Sequence, residues 1–205
     1  MTRIGSRALV LASVALAISL AIDTAKAQVV GAGTCGAEAN MAASEVGNNP
    51  SVFPIGRVAR AVTCLINAER TSRGLPALAT DASLSTAALM HASEAGRLKW
   101  WVSGADPHVN PQTGSTIASR LNEQRYCPSG ASRFSEIAYT WAGDEATPVG
   151  AVNWWMNIST FGHREAILDP AVKELGVGAS RQVADRNVAL QSKMGTYVVN
   201  FGACP

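Results

Sequence analysis

Apolar residues recur along this chain at two spacings, and the alternation between them outlines the fold. Val58, Val62, Leu65 and Ile66 fall at steps of three and four, which predicts a helix from about Arg57 that Gly74 and Pro76 stop. A second stripe follows Asp81, a suitable N-cap: Leu84, Ala87, Ala88, His91, Ala95 and Leu98. Gly104, Pro107, Asn110 and Pro111 then mark a loop, and a shorter helix is expected over 115–124. Phe134, Ile137, Tyr139 and Trp141 give 134–141 the composition of a strand. Thr147-Pro148 is a good helix start, a capping hydroxyl followed by a residue that needs no donor, and that helix runs to about Asn157. One further helical turn or two covers 162–168 and ends before Pro170. Residues 175–179, 187–191 and 196–201 read as strands. Three helices, a strand, two helices and then strands make an α+β domain.

The N-terminus departs from this pattern. Arg3 and Arg7 precede an uncharged apolar run over 8–22, and Ala25-Lys26-Ala27 supplies a small-x-small cleavage site. The run is shorter than the roughly 20 residues that cross a bilayer. Residues 1–27 are therefore expected to be an export signal, leaving no membrane span in the mature chain. Residues 28–56, rich in Gly, Ala, Asn and Ser, are expected to be an irregular arm tethered through Cys35, with a single domain over 57–205. The formal charge of +2 resides in the leader, where Arg3, Arg7 and Lys26 face only Asp23. The mature chain is thus neutral, which argues against a nucleic-acid or anionic-membrane partner. Cys35, Cys64, Cys127 and Cys204 form an even set without C-x-x-C spacing, so two disulfides are expected rather than a metal site. The expected pairs are Cys35 with Cys204, joining the termini, and Cys64 with Cys127, joining an early helix to a mid-chain loop.

Three residues carry most of the candidate chemistry. His108 stands in the loop Asp106-Pro107-His108, Glu136 in an otherwise apolar strand, and His163 within the stretch WWMNISTFGHREAIL over 154–168. Two imidazoles and a carboxylate suit zinc or a related divalent ion with a position left open, or the positioning of water or a polar ligand head without metal. A carboxylate in an apolar strand is costly unless paired, so Glu136 calls for partners. Ser159 and Thr160 precede His163 as possible caps of its helix. His91, on an apolar stripe, reads as a satisfied core or boundary histidine. Trp100-Trp101 and Trp154-Trp155 read as core and rim aromatics. No H-E-x-x-H, G-x-S-x-G or phosphate-binding loop is present.

A family resemblance runs through these segments. Cys64-Leu65-Ile66-Asn67-Ala68-Glu69-Arg70 with Gly74-Leu75-Pro76-Ala77-Leu78 resembles the L-x-N-x-x-R-x-x-x-G-L-x-x-L opening helix of the CAP superfamily (cysteine-rich secretory, antigen 5 and pathogenesis-related 1 proteins), in its short bacterial SCP-domain form. Leu84, Ala87-Ala88 and His91-Ala92 are similar to its L-x-x-A-A-x-x-H-A helix. His108 with Pro111 and Gly114, Arg120-Leu121 with Tyr126, Glu136-Ile137-Ala138, Trp155 with His163-Arg164, Ile167-Leu168, Leu175-Gly176-Val177-Gly178 and Phe201-Gly202 follow in the same order. The resemblance implies a three-layer α-β-α sandwich around a mostly antiparallel sheet, with a cleft holding His108, Glu136 and His163. Two departures stand out. Ile137 replaces the asparagine that follows the glutamate, and Trp155 and His163 lie two residues further apart than in W-x-x-S-P-G-H-R, without its proline.

The function expected from the residues and the resemblance together is that of a secreted or periplasmic, monomeric binding module. Its His/Glu cleft would take a small hydrophobic ligand such as a lipid, or zinc or another divalent metal on His108 and His163. An extracellular protein is the other expected partner. One alternative is a metal-dependent, peptidase-like hydrolase with Glu136 as base. Another is an extracellular interaction protein with a vestigial cleft.

Overall fold

The computed structural model describes residues 28–46 and 55–205; the expected export signal over 1–27 lies outside the described residues. The elements, in chain order, are α1 (Ile55–Thr71), β1 (Ala79–Thr80), α2 (Ala82–Leu98), α3 (Ile117–Glu123), β2 (Arg133–Ala142), α4 (Pro148–Asn153), α5 (His163–Leu168), β3 (Glu174–Ser180) and β4 (Met194–Ala203). The sheet order is β1-β3-β4-β2. β4 pairs antiparallel with both β2 and β3, and the two-residue β1 pairs parallel with β3. Helix α2 covers one face; α1, α4 and α5 cover the other. This is the α-β-α sandwich that the motifs imply.

Both faces are apolar for local reasons. On the α1 side, Val58, Val62, Leu65 and Ile66 pack with Ile137, Tyr139, Val177, Val199 and Trp155. On the opposite face, Ala88, Ala92 and Ala95 of α2 pack with Ala138 and Val198. The small residues of α2 meet Gly176 and Gly178 of β3, where a Cβ would land inside the α2 backbone at Leu84, Ser85, Ala88 and Leu89. The G-x-G on β3 therefore sets how closely α2 can lie on the sheet. Asp81 caps α2 by accepting from Leu84 N–H at 2.8 Å, and Thr147 caps α4 by accepting from Gly150 N–H at 3.1 Å.

The motif residues of α1 hold the framework. Asn67 exchanges two hydrogen bonds with the backbone of Leu78, just before β1 (3.0 and 2.8 Å). Buried Arg70 donates to the carbonyls of Pro76, Ile167 and Asp169 (3.0, 2.7 and 2.9 Å), clamping the end of α5 to α1. Among the described residues no helix is long and apolar enough to cross a membrane.

The structure corrects three expectations. The disulfides are Cys35–Cys64 and Cys127–Cys204, not the pairs expected from sequence. The antiparallel register places Arg133 opposite Ala203, so the loop entering β2 and the tail leaving β4 are neighbours, and Cys127 meets Cys204. Residues 28–46 do more than hang from Cys35. They form short 3-10 turns at Ala37–Asn40 and Ala43–Glu45 and bury Val29, Ala39, Ala43 and Val46 in the main core beside α1. No strand forms over 187–191; that segment is a turn and extended loop leading into β4, and Leu190 is exposed. The segment makes no ladder with any strand of the sheet.

Peptide mapping without reduction should recover the Cys35–Cys64 and Cys127–Cys204 fragments. By loop entropy, losing the second, which closes the longer loop, should cost about 4.5 kcal/mol and losing the first about 3.6, measured by chemical denaturation of the double-serine variants.

A buried carboxylate at the foot of an open cleft

Strand alternation puts Glu136 and Ala138 on the α2 face of β2, and Ile137 and Tyr139 on the α1 face. Glu136 is only 7% exposed, and four elements supply its partners. Arg120 of α3 places Nη2 between both carboxylate oxygens, at 2.9 and 2.8 Å. His108 Nδ1 lies 2.9 Å from Oε1. Asn200 stands directly opposite on β4; with its Nδ2 turned to the carboxylate it donates to Oε2 at 2.8 Å and accepts from Ala88 N–H at 3.2 Å. His91 of α2 brings Nε2 to 3.6 Å from Oε1, while that nitrogen donates to the Pro107 carbonyl at 2.8 Å. A carboxylate offers about four acceptor positions. Here His108, Asn200 and the two Arg120 contacts fill them.

The same guanidinium positions the loop. Arg120 Nη1 donates to the carbonyls of His108 and Ser115 (3.1 and 3.2 Å), so one side chain fixes both the carboxylate and the backbone of its imidazole partner. Because the ionised carboxylate only accepts, His108 carries its proton on Nδ1 in the neutral ring. Its Nε2, which has no protein partner among the described residues, then presents a lone pair.

His163 reaches the same cleft from the other side. A π-helical turn over Trp154–Ile158 follows α4. The chain then turns through Ser159 and Gly162, whose φ of 80° suits glycine, into α5. Trp155 anchors this turn by donating its indole N–H to the Ala138 carbonyl at 3.0 Å, and Arg164 by donating to the Met156 carbonyl at 2.8 Å. The added length between Trp155 and His163 lies in a widened helical turn and the loop beyond it, and His163 still lines the cleft. Ser159 and Thr160 do not cap α5. Ser159 Oγ instead accepts from Phe161 N–H (3.2 Å) and lies 2.6 Å from His163 Nδ1.

His108, Glu136 and His163 all line one cavity of about 790 Å³. Its walls are the loop from Trp101 to His108 on one side, and Trp154, Phe161, Gly162 and His163 on the other. Phe161 is 78% exposed at its rim.

The sequence profile of CAP, the cysteine-rich secretory protein family, matches residues 64–201. The chain belongs to this family. An extracellular SCP-domain protein from Bacillus anthracis shares its fold at 24% identity and a TM-score of 0.54, over 72% of this chain and 41% of that one. An outer surface protein from Borrelia burgdorferi does so at 20% identity and 0.53, over 72% and 93%. The chain thus spans about two fifths of the Bacillus protein. No curated protein matches it in sequence.

Three residues around this candidate cleft were not read as site residues from the sequence. Arg120 sits on the buried side of a short helix and Asn200 in the middle of an apolar strand, and each needs polar partners for the reason Glu136 does. His91 is the buried histidine expected on its stripe, packed on Trp100 and Trp101 (ring centroids 5.5 and 6.0 Å), yet it also faces the carboxylate. Among the described residues, no group of three or more His, Cys, Asp or Glu is arranged as a metal site.

Electrostatics follow from burial. Burial pushes the Glu136 carboxyl up, but the His108 hydrogen bond, His91 and Arg120 together outweigh it and hold the group below the ordinary carboxylate range. Burial lowers the pKa of His91. Burial, with His108 nearby, lowers His163 from 6.5 to about 4. In the unfolded chain His163 takes up a proton below about 6.5, while the folded CAP domain refuses it until about 4. Stability from this group is therefore complete above pH 6.5 and lost as pH falls toward 4.

In the presence of chelator, the melting temperature should fall between pH 7 and pH 4.5, and His163→Gln should flatten that slope. Arg120→Ala leaves a buried carboxylate without its cation and should cost about 3–5 kcal/mol in chemical denaturation, whereas Arg120→Met with Glu136→Leu should cost far less.

Proposed function

We propose that this protein is a secreted binding module without catalytic activity, and that its cleft takes a small ligand over an apolar wall beside two imidazoles. Its two disulfides leave no thiol among the described residues and suit an oxidising compartment. The observation that carries the reading is the state of Glu136. A carboxylate that is buried, ionised and fully hydrogen-bonded has no lone pair with which to take a proton from water, so it acts as a brace for His108. Ser159 touches His163 but also caps its own turn, and no third group orients the pair as a nucleophile would require.

The imidazoles suit a divalent metal. His108 has its Nδ1 proton held by a carboxylate, an outer-sphere partner that fixes the ring and leaves Nε2 for an ion. His163 would place its proton on Nδ1, donated to Ser159 Oγ, and offer its own Nε2. Its low pKa keeps that ring neutral, the form that binds metal, through the physiological range. Two histidines leave the remaining positions to water or ligand. A bound ion would supply Lewis acidity for a polar ligand head, while Trp101, Tyr139 and Trp154 supply apolar surface.

Calorimetric titration of zinc into chelator-stripped mature protein should give micromolar binding. His108→Ala or His163→Ala should abolish it, and Ser159→Ala should weaken it about tenfold by releasing the His163 ring. No hydrolysis of a mixed peptide substrate should accompany binding. Turnover that requires Glu136 would overturn the non-catalytic reading.

A further inference from the structure

β2 ends the sheet, and the cleft runs along its outer edge. Seven consecutive residues, from Ser135 to Trp141, line the cavity. Side chains on a strand alternate between faces, so only an edge can present both sets to one space. The register shows which backbone groups lie there. Gly143 N–H donates to Lys193 C=O at 2.9 Å, so, with Ala142 opposite Met194, the odd-numbered residues of β2 bond to β4. The N–H and C=O groups of Glu136, Ala138 and Thr140 therefore face outward. Among the described residues no strand pairs with this side, and the one hydrogen bond there is from Trp155 to the Ala138 carbonyl.

Exposed strand edges are usually shortened, twisted away or charged. This one spans ten residues and is flanked by two walls, the Trp101–His108 loop from the α2 layer and the Phe161–His163 turn from the other. The gap between the helical layers is therefore a slot with a hydrogen-bonding floor and apolar sides. Its charge is already balanced, since Glu136 is neutralised by Arg120 within the protein. Trp141 and Phe161 are exposed beside it.

We propose that the cleft binds an extended, uncharged peptide segment of another protein by strand addition to β2. The peptide pairs with Glu136, the Ala138 N–H and Thr140, and its apolar side chains rest on the aromatic walls. The outward groups from Glu136 to Thr140 span about 13 Å, at roughly 3.3 Å per residue, which a segment of about five to seven residues covers. The proposal rests on the cleft being a ligand site, as inferred above, but not on metal; the zinc titration reports on metal alone, so the two can fail separately.

The test uses ¹⁵N-labelled mature protein with its disulfides intact. The probe is a capped peptide of about seven residues alternating valine and threonine, with two analogues N-methylated along one edge or the other. Addition of the parent peptide should slow hydrogen exchange at the Glu136, Ala138 and Thr140 amides at least tenfold and leave Ile137 and Tyr139, already paired with β4, unchanged. One methylated analogue should lose this effect and the other should keep it. No protection at the three amides with millimolar peptide would overturn the proposal, as would equal effects of all three peptides. Protection that grows with protein concentration in the absence of peptide would also overturn it, by assigning the edge to a second copy of the chain.

Discussion

The architecture of the site depends on one buried charge. Placing a carboxylate on the inner face of a strand costs several kcal/mol unless hydrogen bonds and a counter-charge replace water. Glu136 meets that demand from four directions: Arg120 on α3, His108 on the loop after α2, His91 on α2 and Asn200 on β4. Three of these groups are also tied elsewhere. Arg120 holds the His108 carbonyl, His91 holds the Pro107 carbonyl, and Asn200 bridges to the Ala88 backbone. The carboxylate is thus the node through which α2, α3, the cleft loop and the sheet agree on one geometry. The network places His108 with its outer nitrogen directed away from the carboxylate it braces against.

Much of the fold was legible because it follows from local chemistry. The α2 stripe with its Asp81 cap, the Thr147-Pro148 start and the strands around Ile137, Val177 and Val199 each express a periodicity or a cap that needs no tertiary knowledge. The disulfide partners were illegible for the opposite reason. Cys127–Cys204 follows from the β2–β4 register, where Arg133 opposite Ala203 relates residues far apart in sequence, and Cys35–Cys64 from the packing of the N-terminal segment on α1. The burial of Val29 and Ala43 is likewise tertiary, because a segment of small residues reads as irregular until α1 is there to pack against it.

The same division runs through the site. Glu136 was visible as a carboxylate in an apolar strand, and the family motifs drew in His108 and His163; all three line the cleft. The groups that make the carboxylate tolerable were harder to see. Arg120 and Asn200 are polar residues whose cost appears only once their burial is known, and His91 fits an apolar stripe well enough to hide a second role. A buried polar residue on any element that packs against a candidate site residue is the signal that would have found them.

Of the two departures from the family pattern, Ile137 is buried in the core and the lengthened turn lies at the cleft. The extra length before His163 becomes a π-helical turn, pinned by the Trp155 bond to Ala138 and the Arg164 bond to Met156. Wide turns of this kind recur at functional sites. Here the turn leads to Phe161, which stands exposed on the rim, while His163 remains within the wall. Trp155 does two things at once: it fixes the turn and covers one carbonyl of the β2 edge. An edge strand left open between two helical layers would invite pairing at every outward group. Covering only the Ala138 carbonyl narrows what can pair there while the neighbouring donors and acceptors still face the cleft. The loop that positions the histidine and the edge that floors the cleft are therefore coupled through one indole, and a change in the length of the turn alters both together.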